Sequence, residues 1–129
     1  MHDLSSRLAG VVFERGDAGR TEELAGVNLA VVHDPDLVVG AATLEDVVEA
    51  VGYATRHGLA VRVQATGHGA DLPVTDGLLL TTRRLDRVVI DGDVATIGAG
   101  VRWADVIAAA APLGLAPVTG SSPTVGVVG

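Results

Sequence analysis

The chain has 129 residues, a size typical of one domain, and 48% of them are hydrophobic although only 2% are aromatic. Its core must therefore consist of Val, Leu, Ala and Ile, with Val-rich segments favouring strands and Ala-rich segments favouring helices. Sixteen acidic and nine basic residues give a net charge of −7, which opposes nucleic-acid binding, and the absence of cysteine excludes disulfides, zinc–thiolate sites and thiol nucleophiles.

The N-terminal region carries few structural signals. Residues 1–30 mix short apolar groups with glycine and charged residues, which predicts one short helix and a loop. The first residues lack the basic region, apolar run and cleavage site of a secretory signal, and no segment approaches about 18 apolar residues. We therefore expect a soluble cytoplasmic protein that does not interact with membranes.

A strand, a helix and a second strand are predicted next. Leu37–Gly40 is an apolar run, and Thr43 followed by Asp46 resembles a capping box at a helix start. Gly58 is expected to end the helix before a strand over residues 59–63. The predicted apolar face of the helix consists of Leu44, Val47, Val48, Val51 and Ala54. Short links between these elements predict parallel strands joined by a right-handed crossover.

A third strand, a hairpin and a second helix complete the predicted elements. Residues 77–82 form an apolar strand, and Asp91-Gly92-Asp93 between residues 88–90 and 94–97 is a strong hairpin signal. Residues 102–111 predict a helix, and residues 115–117 a short extended segment. The predicted apolar face of this helix consists of Trp103, Val106, Ile107 and Ala110. The fold class is therefore α+β.

The loop of residues 64–70 is the first candidate site. It follows a predicted strand and contains two glycines, a threonine hydroxyl and the imidazole of His68. Small residues allow backbone N–H groups to approach a phosphate, and a pyrophosphate needs several such donors. The same composition equally fits a flexible surface turn with an exposed histidine.

The second candidate is the segment of residues 119–129, which is also rich in glycine and hydroxyl groups. A disordered C-terminal tail is the alternative interpretation. Because Val125, Val127 and Val128 are too apolar for a solvated tail, we expect the segment to pack against other residues.

Other common chemistries are not supported. Gly98-Ala99-Gly100 precedes a helix, but Trp103 occupies the position of the third glycine in a dinucleotide-binding fingerprint. The serines lack a nucleophile-elbow context. No metal site is predicted from the spacing of the histidines His2, His33, His57 and His68.

Three motifs in order carry a family resemblance: residues 63–69, 98–106 and 120–129. Together they resemble the berberine-bridge-enzyme-like oxidases, which belong to the wider vanillyl-alcohol-oxidase type with a PCMH-type FAD-binding domain. The resemblance implies the N-terminal portion of such a domain over residues 33–129, incomplete at its C-terminus. Residues 1–32 are then an N-terminal helix and loop extension.

The resemblance also implies the roles of the two glycine-containing segments. His68 is expected to bond to the 8α-methyl carbon of FAD, the loop around it to wrap the pyrophosphate, and the C-terminal segment to line the cofactor. The predicted cofactor-binding residues are Gln64, Ala65, Thr66, Gly67, His68, Gly69, Gly120, Ser121, Ser122, Pro123, Val125, Gly126, Val127 and Gly129.

Two departures from the family pattern change these expectations. Many relatives have Arg-Gly-Gly-Gly-His where this chain has Gln64-Ala65-Thr66-Gly67-His68, so an amide replaces a charge and side chains replace glycines. Relatives with two covalent flavin links have cysteine at the position of Ser122, so only a histidyl link is possible here. The family's base and substrate-contacting residues lie beyond the matched region, and no catalytic residue is assigned.

The implied function is FAD binding in an oxidase that passes a hydride from an alcohol, sugar or C–N bond to the flavin. Its partners are FAD and a small-molecule substrate. The alternative is a non-catalytic flavin- or nucleotide-binding fragment or module that pairs with another chain.

Overall fold

The computed structural model describes residues 2–129 and contains a four-stranded sheet and a separate two-stranded hairpin. In chain order the elements are α1 (His2–Ser5), β1 (Val11–Phe13), α2 (Arg20–Leu24), β2 (Leu37–Gly40), α3 (Leu44–His57), β3 (Val61–Gln64), β4 (Leu78–Thr81), β5 (Val88–Asp91), β6 (Val94–Ile97), α4 (Trp103–Ala110) and a 3₁₀ turn (Ala111–Leu113). The predicted α+β class is confirmed. Across the described residues, no helix combines the length and apolar character needed to cross a bilayer.

The sheet has the order β1-β2-β4-β3, with β1 antiparallel to β2 and the other neighbours parallel. The predicted parallel orientation of β2 and β3 is therefore confirmed, but β4 lies between them. The reason is burial: Leu78, Leu79 and Leu80 of β4 are all enclosed, as expected for a central parallel strand. Arg62 and Val63 of β3 are exposed, which suits an edge.

Each face of the sheet has its own apolar cluster, because successive side chains along a strand point to opposite faces. Beneath α3 the cluster consists of Leu4, Leu37, Val39, Ala41, Ala50, Tyr53, Ala54, Leu78 and Leu80. On the other face Val38 and Leu79 pack with Leu24 of α2, and Phe13 and Val74 lie against them. The candidate cleft described below lies on this second, thinner side.

The predicted apolar face of α3 is largely wrong. Leu44 is 70% exposed and Val48 64% exposed, and of the predicted stripe only Ala54 is fully buried. The helix instead packs Ala50, Tyr53 and Ala54 against the sheet. The small side chains of the two alanines allow close approach, and the buried carboxylate of Asp46 fixes the first turn. Valine spacing alone could not reveal that constraint.

The prediction of one helix and a loop for residues 1–30 is also wrong. The structure has two short helices there, and β1 pairs with β2 with Val12 opposite Val39. A three-residue strand has no periodicity of its own and exists only through its sheet partner. The domain division at residue 33 stays a prediction, although residues on both sides of it share one sheet.

The hairpin and the second helix agree with their predictions. β5 pairs with β6 up to Asp91 and Val94, which leaves Gly92 and Asp93 as a two-residue turn. In α4, Val106 and Ala110 are buried as expected, whereas Ile107 is 40% exposed. Residues 115–117 form no strand in the described part of the chain.

Asp46 connects the start of α3 to the segment before β1. Its buried carboxylate accepts hydrogen bonds from the backbone N–H groups of Ala9, Gly10, Ala42 and Thr43, at 2.8 to 3.1 Å. The Thr43 hydroxyl accepts the Asp46 N–H in return, which completes the predicted capping box. Burial alone would raise the pKa of Asp46, but these backbone donors together lower it below its ordinary value.

We expect Asp46→Asn to lower the free energy of unfolding by about 2 kcal/mol, because an amide replaces a carboxylate that accepts several charge-assisted hydrogen bonds. Since the folded-state pKa is lowered, the carboxylate stabilises the fold above about pH 4 and that contribution is lost as the pH falls through the folded pKa. Urea denaturation over this pH range measures both effects. Glu45→Gln, the same change at an exposed neighbour, should leave stability nearly unchanged; equal losses would contradict the role of Asp46.

Candidate functional site

A cleft of about 570 Å³ lies between the loop after β3 and the C-terminal segment. Its wall includes the predicted residues Gln64, Ala65, Thr66, Gly67, His68, Gly69, Val125, Gly126 and Gly129. The structure therefore brings together two segments that are separated by about half of the chain. Val63 and Ala70, which border the predicted loop, also line the cleft, and the sequence analysis missed the remaining lining residues, which are His33, Arg62, Leu72, Val74 and Leu79.

The loop after β3 owes its shape to glycine. Gly67 and Gly69 have φ angles of +75° and +76°, which side-chain-bearing residues rarely adopt. A Cβ at Gly67 would also lie 2.8 Å from the Cα of Gly26, whereas a Cβ at Gly69 would meet nothing within 4 Å. The Val27 N–H donates to the Thr66 carbonyl at 2.9 Å, so the segment after α2 supports the loop from behind.

Several backbone donors of this loop have no protein acceptor. Within residues 2–129, the N–H groups of Thr66, Gly67 and Gly69 take part in no hydrogen bond. Consecutive N–H groups in a loop with left-handed residues form a concavity that binds anions. These free donors make the loop a candidate for binding an anionic group.

His68 lies on the exposed rim of the cleft. Its Nδ1 is 2.8 Å from the Thr66 hydroxyl oxygen, and its backbone N–H donates to the same oxygen at 3.4 Å. Thr66, one of the departures from the family pattern, thus holds the imidazole and leaves Nε2 without a partner among the described residues.

Gln64 contributes to the cleft wall mainly as a support. Its buried side-chain amide donates to the backbone carbonyl of Leu24 at 3.0 Å. The backbone carbonyl of Gln64 accepts the Thr82 N–H at 3.0 Å. Gln64 therefore joins β3 to the end of α2. The glutamine that replaces the family's arginine has a clear structural partner in this chain.

Glu23 fixes the same end of α2 from the other side. Its buried carboxylate pairs with Arg84 at 2.7 Å and accepts the Thr81 hydroxyl. Arg83 donates to the Glu23 carbonyl at 2.6 Å and to the Ala25 carbonyl at 3.1 Å. Burial would raise the pKa of Glu23, but the hydrogen bonds from Arg84 and Thr81 and the nearby positive charges lower it.

The C-terminal segment is anchored to the start of α4. Val127 N–H donates to the Val101 carbonyl at 2.9 Å, and Trp103 N–H donates to the Val125 carbonyl at 3.1 Å. A Cβ at Gly126 would lie 3.8 Å from Thr66 Cγ2, so this segment approaches the loop closely. The expectation that residues 119–129 pack against the domain is correct for this part.

The earlier residues of the segment lie outside the cleft wall, as does Val127. A Cβ at Gly120 would lie 2.8 Å from the indole nitrogen of Trp103, and the Pro123 carbonyl accepts the Ala104 N–H at 2.9 Å. These contacts attach the segment to α4 instead. For Gly120, Ser121, Ser122, Pro123 and Val127, cofactor contact stays a prediction.

The cleft differs electrostatically from the rest of this acidic chain. Among the described residues that line it, none is acidic, whereas Arg62, His33 and His68 all contribute to the wall. Arg62 is only loosely paired, with Asp76 at 3.9 Å. No group of three His, Asp or Glu side chains that could hold a metal ion occurs within residues 2–129. The arrangement suits an anionic organic ligand.

Comparisons with known proteins identify the family to which this chain is similar. The sequence matches the family described as the FAD binding domain over residues 35–129. It is 32% identical to (R)-6-hydroxynicotine oxidase of Paenarthrobacter nicotinovorans, with 98% of this chain and 30% of that protein aligned. The chain thus spans about 30% of the length of this curated relative.

Two solved structures show the same fold. The crystal structure of 6-hydroxy-D-nicotine oxidase from Arthrobacter nicotinovorans matches with a TM-score of 0.82 and 32% identity, covering 92% of this chain and 27% of the other. Glucooligosaccharide oxidase from Acremonium strictum, described with 6-S-cysteinyl, 8α-N1-histidyl FAD, matches with a TM-score of 0.81 and 26% identity, covering 96% and 28%. The predicted PCMH-type fold is confirmed.

Alanine substitutions at the two loop glycines should have unequal effects. Each forces alanine into a left-handed conformation, which costs about 1 kcal/mol. Only Gly67→Ala also collides with the backbone of Gly26, and it should cost roughly 1 to 3 kcal/mol more. Urea denaturation of both variants provides the comparison, and equal losses would show that the contact with Gly26 is unimportant.

Glu23→Gln should destabilise the chain by about 2 kcal/mol, because it leaves Arg84 without its charged partner. The loss should be smaller than the roughly 3 to 5 kcal/mol typical of a fully buried pair, since the Arg84 side chain is 35% exposed. Glu22→Gln makes the same charge change at an exposed neighbour and is the control. Thermal unfolding that does not distinguish the two variants would contradict the role assigned to Glu23.

Proposed function

The chain belongs to the FAD binding domain family, and we propose that its cleft holds FAD for a flavin-dependent oxidase through the loop of residues 64–69. The observation that carries this proposal is the set of unpaired N–H groups in a loop that lines a cleft without carboxylates. Pyrophosphate is the part of FAD that such donors would bind. The segment of residues 125–129 would close the cleft from the opposite side.

The residues present fit FAD in three respects. A Cβ at Gly67 would collide with Gly26 behind the loop, so the left-handed shape of the loop depends on glycine there. The guanidinium of Arg62 adds positive charge without a close carboxylate partner. Apolar side chains of Leu72, Val74 and Leu79 provide a surface for the less polar parts of the cofactor.

When bound, FAD would supply the redox chemistry by accepting a hydride from the substrate. The residues of this chain would bind and orient FAD. Loop N–H groups and the Thr66 hydroxyl would donate to phosphate oxygens, and Gln64 would keep the loop against α2. For the protein as a whole we propose oxidation of an alcohol, a sugar or a C–N bond. The same proposal includes a small-molecule substrate, a cytoplasmic location and a domain boundary at residue 33.

We further propose that His68 attaches FAD covalently. Its imidazole is exposed at the cleft rim and oriented by Thr66, which supports access to the flavin's 8α-methyl carbon. An unprotonated ring nitrogen is the nucleophile that such an attachment requires. Ser122 has no thiol, so any covalent attachment in this chain would be single.

Intact mass after denaturation tests the attachment. The chain incubated with FAD in air should gain the mass of one FAD less two hydrogens, because the new N–C bond replaces a C–H bond of the 8α-methyl group and the imidazole N–H, and oxygen takes up the two electrons. His68→Ala should lose that increment because the nucleophile is removed. His57→Ala, at an exposed histidine that ends α3, should retain it.

Noncovalent binding is measured in parallel by the quenching of FAD fluorescence. Saturable quenching without a mass increment would reject the covalent link and support a noncovalent flavin-binding module. Absence of both signals in the wild-type chain would reject FAD binding itself.

A further inference from the structure

His33 is a buried histidine in the cleft wall that the proposed function does not use. It lies in the segment before β2 and is only 8% exposed. Its side chain lines the cleft together with the loop after β3. A buried polar ring needs hydrogen-bond partners, so the partners of its two nitrogens indicate its role.

One ring nitrogen is assigned by its backbone partner. The Val74 N–H donates to His33 Nδ1 at 3.0 Å. Nδ1 must therefore carry a lone pair, and in the neutral imidazole the proton is then on Nε2. The hydrogen bond also fixes the plane of the ring, because Val74 packs against Leu79 and Val38 of the sheet.

The second nitrogen has no protein partner. Among the described residues nothing accepts a hydrogen bond from His33 Nε2. The atom is not sealed in the interior either, because the only fully enclosed side-chain atom without a partner in residues 2–129 is Arg20 Nε. His33 Nε2 is thus an oriented N–H donor that reaches open space.

The surroundings of the ring favour the cleft as the place where this donor acts. His33 also borders a pocket of about 300 Å³ beside α2, whose carboxylate, Asp34, is already paired with Arg20 at 2.8 Å. The cleft, by contrast, contains Arg62 and no acidic lining residue. An N–H donor in a cleft that also contains a guanidinium and no carboxylate favours an anionic oxygen.

We propose that His33 is a cofactor-binding residue whose Nε2–H donates to a phosphate oxygen of FAD. The proposal rests on FAD binding in the cleft and adds a side-chain donor of the cleft wall to the backbone donors of the loop. His33 would fix the position of the pyrophosphate, while His68 would act at the flavin end. His33 would contact the cofactor and take no part in the redox step.

Asparagine and glutamine separate the two functions of the ring. In His33→Asn the amide oxygen can replace Nδ1 as acceptor for Val74, but no donor reaches the position of Nε2. In His33→Gln the longer side chain can place an N–H near the position of Nε2, but it gives up the Val74 contact. Equilibrium unfolding in urea establishes that each variant is folded before binding is measured.

FAD affinity is measured by fluorescence quenching in chains that also carry His68→Ala, so that attached FAD does not disturb the binding equilibrium. We expect His33→Asn to weaken FAD binding roughly tenfold, the effect of losing one hydrogen bond to a charged group, while stability changes little. His33→Gln should bind FAD more tightly than His33→Asn although it is the less stable of the two. His57→Asn, outside the cleft, should bind like the wild type.

Inorganic pyrophosphate identifies the part of FAD that His33 contacts. In chains carrying His68→Ala, in which FAD stays unattached, it should displace FAD, and its own dissociation constant should be about tenfold higher when His33→Asn is added if the lost bond is to phosphate. Unchanged FAD affinity in His33→Asn, or a loss with no change in the direct affinity for pyrophosphate, would overturn the inference while FAD binding itself stands. A wild-type chain that binds no FAD would overturn the proposed function as well.

Discussion

The buried carboxylate of Glu23 is the constraint on which the arrangement of the cleft depends. It lies where β2 and β4 end, at Gly40 and Thr81, which are opposite each other in register. A Cβ at Gly40 would lie 2.7 Å from a Glu23 oxygen, so a larger residue there would force the Glu23 side chain to shift. Gln64, at the end of β3, lies opposite Thr81 in the same register. The end of α2 is therefore attached to three parallel strands at their carboxyl ends, the edge where open α/β sheets commonly place ligands.

This attachment determines the shape of the loop that carries His68. The residues after α2 continue directly into Gly26 and Val27, which contact Gly67 and Thr66. Asn28 adds a side-chain hydrogen bond to the Ala70 carbonyl at 3.0 Å. The loop is thus held by a segment far away in the sequence, and its unpaired N–H groups are not used in that support. Burial of the Glu23 side chain and the shape of the loop after β3 are two consequences of the same packing.

Much of the fold could be predicted because the signals were local. The capping box at Thr43, the hairpin turn at Gly92 and the leucine run of β4 each act within a few residues, and the structure contains all three. The buried face of α3 and the strand β1 could not be predicted in this way. Asp46 selects the helix face through N–H groups of the segment before β1, and β1 exists through its pairing with β2. Both depend on residues that the local pattern does not include.

The sequence by itself determined a glycine-containing loop with a histidine, a second glycine-rich segment and a chain without cysteine, because these are properties of composition and short motifs. Only the tertiary structure decided that Val125, Gly126 and Gly129 meet this loop while Gly120 packs on Trp103. It also decided that His33 lies in the same cleft, since its partner Val74 is 41 residues away in the chain. Hydrogen bonds and packing between distant segments leave no periodic trace in the sequence, and the chemistry of the cleft depends on them.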